Sequence, residues 1–227
     1  NTRTVLVARR CVIQSAARQP QKHVAIQPLP ERFRHVACHD LDALQSALDP
    51  TVTAVMLEPI QGEGGVNPAD AEYFAGVRRL CDERGILFVV DEIQTGLGRT
   101  GEWFGFQHFG VQPDVVTMAK ALGNGMPIGA CWATAEVPAA FVPGDHATTV
   151  GGQPLAAAAA RKVLEVMERE DVPARAVDAG KRLTDGLLGL PHVVGVRGLG
   201  LLLAAELEDR DGREVAKAAL DAGLVIN

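Results

Sequence analysis

Short apolar runs alternate with amphipathic stretches along most of the chain. Runs of strand length occur at residues 52–57, 86–90, 115–118 and 128–134. Residues 86–90 are five consecutive apolar residues, a pattern typical of a strand that is buried on both faces. The pattern therefore predicts four strands in a mostly parallel sheet.

The stretches between these runs have apolar residues at helical spacing. Residues 69–84 are preceded by Pro68 and followed by Gly85, the arrangement expected at the two ends of a helix. Strands that alternate with helices define the α/β class. Further helices are predicted at residues 40–48, 154–169, 172–190 and 213–222.

The pattern changes after about residue 170. Short strands are predicted at residues 193–196, 201–207 and 224–226, with one helix before the last of them. We therefore expect two domains. Residues 1–170 would form part of a large α/β domain, and residues 171–227 would begin a smaller α+β domain.

Composition and charge argue against several classes of function. The 227 residues include 22 Lys and Arg against 28 Asp and Glu, a net charge of −6, without basic blocks. This charge argues against a partner nucleic acid or an anionic membrane. The longest apolar run, residues 199–205, is far shorter than a membrane span. Four widely spaced cysteines favour reduced thiols and a cytoplasmic location, and the histidines show no metal-ligand spacing.

Polar residues follow three of the predicted strands. Glu58 follows the first strand, Asp91 the second and Lys120 the third. Because ligands of open α/β sheets bind beyond the carboxyl ends of the strands, these side chains are candidates for chemistry. An apolar setting would make a lysine a better nucleophile, and a carboxylate can keep a pyridine nitrogen protonated. The alternative is that these side chains are only solvated or salt-bridged at the edge of the sheet and take no part in a reaction. The pattern by itself leaves a reactive site and a structural edge both possible.

One glycine motif resembles a dinucleotide fingerprint. Residues 96–101, GLGRTG, match G-x-G-x-x-G after a buried strand. The residues that follow, EWFGF at 102–106, are broken by glycine and do not predict the long helix that the fingerprint requires. The sequence therefore argues against a nicotinamide cofactor.

Four longer motifs occur in a fixed order and together resemble the class III pyridoxal-phosphate-dependent aminotransferases. They are LEPIQGEGG at 57–65, VDEIQTG at 90–96, MAKALGNGMPIG at 118–129 and GGQPLA at 151–156. The resemblance implies the fold-type-I transferase fold of that family. It also implies that residues 1–170 belong to the large cofactor-binding domain, and residues 171–227 to the small carboxyl-terminal domain.

The resemblance assigns the cofactor-binding roles to residues of these motifs. Lys120 would hold pyridoxal 5'-phosphate as a Schiff base and then move a proton between substrate and cofactor. Asp91 would pair with the pyridine nitrogen, and Gln94 would hydrogen-bond the phenolic oxygen. Ile93 would pack on the face of the ring.

Other matching positions imply contacts with phosphate and substrate. Thr149 would bind the cofactor phosphate across a homodimer interface, and Thr148 would lie near the substrate. Glu63 would pair with an arginine of the small domain, and Arg3 would bind the substrate α-carboxylate. The remaining charged residues of the motifs are expected to be structural: Glu58, Glu92, Arg99 and Arg197.

Among members of the family, the motifs fit best those that act on N-acetylornithine. The implied reaction moves the δ-amino group of N-acetylornithine to 2-oxoglutarate, a step of arginine biosynthesis, in a cytoplasmic homodimer. The family's upstream phosphate loop and its small-domain arginine have no counterpart here, so we expect a fragment that is incomplete at both ends. The alternatives are another ω-aminotransferase, acting on ornithine or 4-aminobutyrate, and an inactive remnant that only packs with a partner.

Overall fold

The computed structural model describes residues 33–145, 148–149 and 151–227. Its helices and strands follow the predicted alternation closely. Strands in the described part of the chain are β1 (Ala54–Leu57), β2 (Ile60–Gln61), β3 (Asn67–Pro68), β4 (Leu87–Asp91), β5 (Val115–Met118), β6 (Ala130–Ala133), β7 (Val193–Leu199) and β8 (Leu202–Leu207). The α-helices there are α1 (Leu41–Ala47), α2 (Ala71–Arg84), α3 (Pro154–Arg169), α4 (Val172–Leu188) and α5 (Gly212–Asp221).

The main sheet has the strand order β1-β4-β5-β6 within the described residues. Strand β4 lies parallel to both β1 and β5, whereas β6 lies antiparallel to β5. The prediction of an α/β fold with a mostly parallel sheet is confirmed. Because β1, β4 and β5 run in one direction, their carboxyl ends meet at one edge of the sheet.

Helix α2 covers one face of this sheet. Asp70 caps its first turn by accepting a hydrogen bond from the Tyr73 N–H, and Gly85 ends it in the left-handed conformation, with φ 62°. Phe74 and Val77 of α2 are fully buried. They belong to the main core, together with residues of β4 and β5. The helix end thus follows the glycine signal of the sequence, whereas the helix begins two residues later than predicted, because Asp70 caps it and Pro68 belongs to β3.

A second apolar cluster supports the segment after β5. Leu122 and Leu97 pack with Ala160 and Met167 of α3. Leu122 is the last residue of a short 3-10 helix, Lys120–Leu122. This cluster therefore anchors the turn that carries Lys120.

The last part of the described chain forms an antiparallel hairpin, β7–β8, which is a separate sheet. The strand predicted at residues 224–226 was wrong, because those residues have no regular secondary structure. The Leu224 N–H instead donates to the Ala219 carbonyl, 2.8 Å away, at the end of α5. This segment thus closes the helix end and has no strand partner among the described residues.

Candidate active site

Three strand ends bring together the side chains that the sequence singled out. Asp91 is the last residue of β4 and is paired with Thr117 of β5. Lys120 follows β5, and Glu58 comes directly after β1. Asp91 raises the pKa of Glu58 and Lys120 lowers it, so both charges lie within electrostatic reach of Glu58. The predicted cluster of one lysine and two carboxylates therefore exists at the carboxyl edge of the sheet.

Asp91 is held in one orientation by two donors. Its Oδ1 accepts hydrogen bonds from the Ile93 N–H at 3.0 Å and from the Thr117 hydroxyl at 3.2 Å. Because both donors hold the same oxygen, the carboxylate is fixed before any ligand arrives. Such pre-organisation favours recognition of a positively charged partner at a defined position.

Lys120 has an unusual backbone conformation. Its φ of 45° lies in the left-handed region, which costs free energy for a residue with a side chain. Lys120 is exposed in this chain, so the described residues do not give it the apolar setting that would make a lysine a better nucleophile. Leu122, two residues later at the end of the same short helix, is buried, while Lys120 at its start is exposed.

Glu58 is a half-buried acid at the end of β1. Its Oε2 accepts a hydrogen bond from the Gly62 N–H at 3.3 Å. Burial raises the pKa of Glu58, and the negative charges of Asp91 and Glu63 act in the same direction. The sequence analysis assigned Glu58 a structural role, but its position beside Asp91 and Lys120 makes it part of the electrostatics of the site.

Gln94 and Ile93 lie in the turn after β4 and are both half-buried. The Gln94 amide lies directly against the backbone of Gly62. A Cβ atom built on Gly62 would be only 2.5 Å from the amide oxygen of Gln94. The loop between β2 and β3 and the turn after β4 therefore contact each other directly, at Gly62 and the Gln94 amide.

Glu92 lies between Asp91 and Ile93 at the start of this turn. Among the described residues it is the only charged residue that is buried, with 1% of its surface exposed. Its carboxylate accepts hydrogen bonds from the Gly105 N–H at 2.9 Å, the Phe106 N–H at 2.8 Å and the Thr95 hydroxyl. Burial raises the pKa of Glu92 and these hydrogen bonds oppose the rise. Glu92 thus joins the turn to the following segment, which agrees with the structural role expected for it.

Glu63 is exposed in the glycine-rich loop between β2 and β3. The same loop is held to the hairpin by Arg197 of β7. The Arg197 Nε donates to the carbonyls of Gly65 at 2.8 Å and Val66 at 3.1 Å, and its Nη1 pairs with Glu206. The loop that carries Glu63 is therefore fixed from the side of the hairpin.

Thr148 and Thr149 are exposed residues of a different loop. The Thr148 hydroxyl accepts a hydrogen bond from the Gly151 N–H at 3.1 Å. Thr148 also lines a pocket of about 230 Å³ with Ile128 and Gly129. In the described part of the chain, hydrogen bonds do not join these threonines to Asp91 or Lys120. Arg3 lies outside the described residues.

The sequence analysis missed two contributors to the site. Thr117, which orients Asp91, has a detectable signal, since it is the polar member of an apolar run and precedes Lys120 by three residues. Gly62, which makes room for Gln94, has no local signal, because the contact joins residues 32 positions apart (94 − 62).

The described residues also bear on two other kinds of site, a dinucleotide site and a metal site. The 96–101 glycine motif is followed by turns and a short 3-10 helix, Gly105–Phe109, and so lacks the long helix of a dinucleotide site. In residues 33–145, 148–149 and 151–227, groups of three or more His, Cys, Asp or Glu suited to a metal ion are absent. Over the same residues, each helix is too short or too polar to cross a membrane.

The class of protein follows from comparison with known families. The family "Aminotransferase class-III" matches residues 11–227, and the chain belongs to this family. It is 49% identical over 212 residues to the acetylornithine aminotransferase of Corynebacterium efficiens, and 45% identical over 217 residues to that of Caldanaerobacter subterraneus. These alignments cover 92% and 94% of this chain but 52% and 55% of the relatives. The chain thus spans about half the length of the relatives it matches.

Solved structures support the same fold. The ornithine aminotransferase from Toxoplasma gondii superposes with a TM-score of 0.86 and 36% identity, covering 94% of this chain and 52% of that one. In that structure, pyridoxal phosphate partially occupies the active site. The N-acetylornithine aminotransferase from Stenotrophomonas maltophilia superposes with a TM-score of 0.76 and 40% identity, over 85% and 52% of the two chains. The fold is that of the pyridoxal-phosphate-dependent aminotransferases.

Proposed function

We propose that this chain supplies the lysine-bearing part of an aminotransferase site that moves the δ-amino group of N-acetylornithine to 2-oxoglutarate. The observation that carries the proposal is that Lys120 and the oriented carboxylate of Asp91 follow neighbouring strands of the sheet, and that both charges act on Glu58. The choice of substrate is supported by relatives named acetylornithine aminotransferase, such as two that are 49% and 42% identical to this chain.

The chemistry of these side chains matches the functional groups of pyridoxal phosphate. The primary amine of Lys120 can condense with the aldehyde, and the carboxylate of Asp91 can pair with the ring nitrogen. The Gln94 amide can donate to the phenolic oxygen, and the Thr149 hydroxyl to the phosphate. Ile93 offers an apolar side chain for the ring. When bound, the cofactor supplies an electron sink for a carbanion.

The residues of the chain then supply binding and proton transfer. Asp91 would hold the ring nitrogen of the cofactor through a carboxylate that two donors orient. The Lys120 amine would hold the cofactor through its aldehyde, and its nitrogen could accept a proton from the substrate and return it. Glu63, on the exposed loop, pairs with the small-domain arginine while the amino substrate is bound. Thr148 and Arg3 complete the substrate contacts in this proposal.

A second candidate substrate is ornithine. It is favoured by the solved ornithine aminotransferases, which resemble the described residues at TM-scores up to 0.86. The described site residues would serve both substrates, because they handle the cofactor and the reacting amine common to both. An assay with each amino donor therefore decides between them.

The proposal includes an assembly and a domain division. We infer a homodimer in the cytoplasm, in which Thr149 serves the neighbouring subunit's cofactor. Residues 1–170 would belong to the large cofactor-binding domain and residues 171–227 to the small one. The separation of the β7–β8 hairpin from the main sheet supports this division.

Lys120→Ala tests the proposal directly. The chain is mixed with pyridoxal phosphate and its visible absorption is recorded, with Lys162→Ala as the control, since Lys162 is an exposed lysine on α3. We expect a protein-bound cofactor band in the wild type and in Lys162→Ala, and its loss in Lys120→Ala. N-acetylornithine should bleach the band. A band that survives Lys120→Ala would contradict the proposal, and no band in any variant would make this chain an inactive remnant on its own.

A further inference from the structure

We propose that Gly62 is a positioning residue for the candidate active site, because its lack of a side chain creates the space in which the Gln94 amide lies. The inference rests on the proposed function, in which that amide donates to the phenolic oxygen of pyridoxal phosphate. It adds to the site Gly62, a residue of the loop between β2 and β3 that has no functional group of its own.

The contact is closer than any side chain at position 62 would allow. A Cβ atom on Gly62 would lie 2.5 Å from Oε1, 2.7 Å from Cδ and 2.8 Å from Nε2 of Gln94. These are the atoms of the amide group itself. Carbon atoms do not approach such groups within 3.0 Å, so one partner has to move.

The loop backbone at Gly62 is anchored, so the amide is the partner that moves. The Gly62 N–H donates to Glu58 Oε2 at 3.3 Å, and the Gly62 carbonyl accepts from the N–H groups of Gly65 and Val66, both at 3.1 Å. The carbonyls of Gly65 and Val66 are in turn held by Arg197. The Gln94 amide, by contrast, is the end of a flexible side chain with several rotamers.

The same loop offers a matched control at Gly64. A Cβ atom on Gly64 would lie 3.4 Å from Gln61 Oε1, its nearest neighbour, and would not contact Gln94. Neither Gly62 nor Gly64 is among the glycines with a positive φ. Alanine therefore suits the backbone at both positions, and the two substitutions differ in what their methyl groups meet.

The experiment compares Gly62→Ala and Gly64→Ala in the whole chain by two readouts. The first is the side-chain amide resonance of Gln94 in a ¹⁵N spectrum without cofactor, assigned by its loss in Gln94→Ala. The second is the affinity for pyridoxal phosphate, measured by titration of the visible band. We expect Gly62→Ala to move the resonance and to weaken binding about two- to tenfold, the effect of one lost hydrogen bond. Gly64→Ala should do neither.

A double variant separates positioning from a general structural effect. If Gly62 acts through Gln94, adding Gly62→Ala to Gln94→Ala leaves cofactor affinity where Gln94→Ala alone put it. Additive losses, or an unmoved resonance in Gly62→Ala, would overturn the inference, as would a moved resonance with unchanged affinity. If the wild-type chain binds no cofactor, the proposed function fails, and the resonance alone decides: movement in Gly62→Ala but not in Gly64→Ala supports the role of Gly62.

Discussion

At the scale of single residues, Glu58 shows how the site combines acids of different character. Asp91 is oriented by two donors, whereas Glu58 has one backbone donor and a buried environment that raises its pKa. When the surroundings of two neighbouring carboxyl groups differ, the two groups can take different roles in one site. Glu58 thus adds a carboxyl group with a raised pKa to a site that also holds the oriented carboxylate of Asp91.

The raised pKa of Glu58 predicts a pH dependence of stability. An acid whose pKa is higher in the folded state stabilises the fold fully below its ordinary pKa of 4.5, and loses that contribution as the pH rises through the folded-state value. We therefore expect the free energy of unfolding of the wild type to fall more steeply above pH 4.5 than that of Glu58→Gln. Denaturant unfolding at a series of pH values measures both.

Glu58→Ala is the control for this prediction. It removes the same charge but also the acceptor of the Gly62 N–H, which glutamine keeps. The alanine variant should share the shallow pH dependence of Glu58→Gln and be less stable at every pH. Parallel profiles for the wild type and Glu58→Gln would show that Glu58 does not titrate in this way.

At the scale of elements, a close backbone crossing joins helix α4 to the turn of the β7–β8 hairpin. Gly180 of α4 is buried, and a Cβ atom there would lie 2.0 Å from the carbonyl oxygen of Gly200. On its other side, Gly200 packs against Arg99 and Thr100, and the Leu201 N–H donates to the Arg99 carbonyl at 2.8 Å. The hairpin turn is thus enclosed between the helix and the 99–100 loop.

Two glycine substitutions in α4 should have opposite effects on the free energy of unfolding. Gly180→Ala forces the helix away from the Gly200 backbone, and overpacking of this kind costs about 1–3 kcal/mol. Gly186→Ala, in the same helix, meets no atom within 4 Å and should stabilise the fold by up to about 1 kcal/mol through helix propensity. Thermal unfolding of both variants measures the difference. Equal midpoints would mean that the crossing is not tightly packed.

At the scale of the whole molecule, Arg197 links the hairpin to the loop of the candidate active site. Its guanidinium reaches two carbonyls of that loop while pairing with Glu206 on the neighbouring strand β8. A planar guanidinium can bond two acceptors and a carboxylate together, which the ammonium of lysine does poorly. The loop that carries Gly62 and Glu63 therefore depends on a residue of the hairpin.

Arg197→Lys should loosen this link without removing the charge. We expect amide hydrogen exchange in residues 62–66 to become about tenfold faster, because the loop loses hydrogen bonds that oppose its opening. Arg213→Lys is the control, since Arg213 is exposed on α5. Exchange that is the same in Arg197→Lys and Arg213→Lys would show that the loop is held by other contacts.

The success of sequence-based prediction varied with how local each feature is. Helix α2 was predicted at residues 69–84 and occupies Ala71–Arg84: its end follows Gly85, which acts on its own neighbours, while its start is set by Asp70 and lies two residues later than predicted. The predicted strand at 128–134 is shorter, Ala130–Ala133, and it runs antiparallel to β5. Apolar periodicity identifies a strand but carries no information on its direction. The predicted strand at 224–226 was wrong because a strand needs a partner, which a local pattern does not provide.

The sequence by itself determined the α/β class, the order of the elements, the family motifs and the positions of Lys120 and Asp91 at strand ends, since these depend on residue types and short spacings. Only the tertiary structure decided that Lys120 is exposed and that Thr117 orients Asp91. It also decided that Asp91 and Lys120 act on the pKa of Glu58, and that Gly62 contacts Gln94. These features arise between elements that are distant in the chain, because the packing of strands and loops, and not their local pattern, sets which side chains meet.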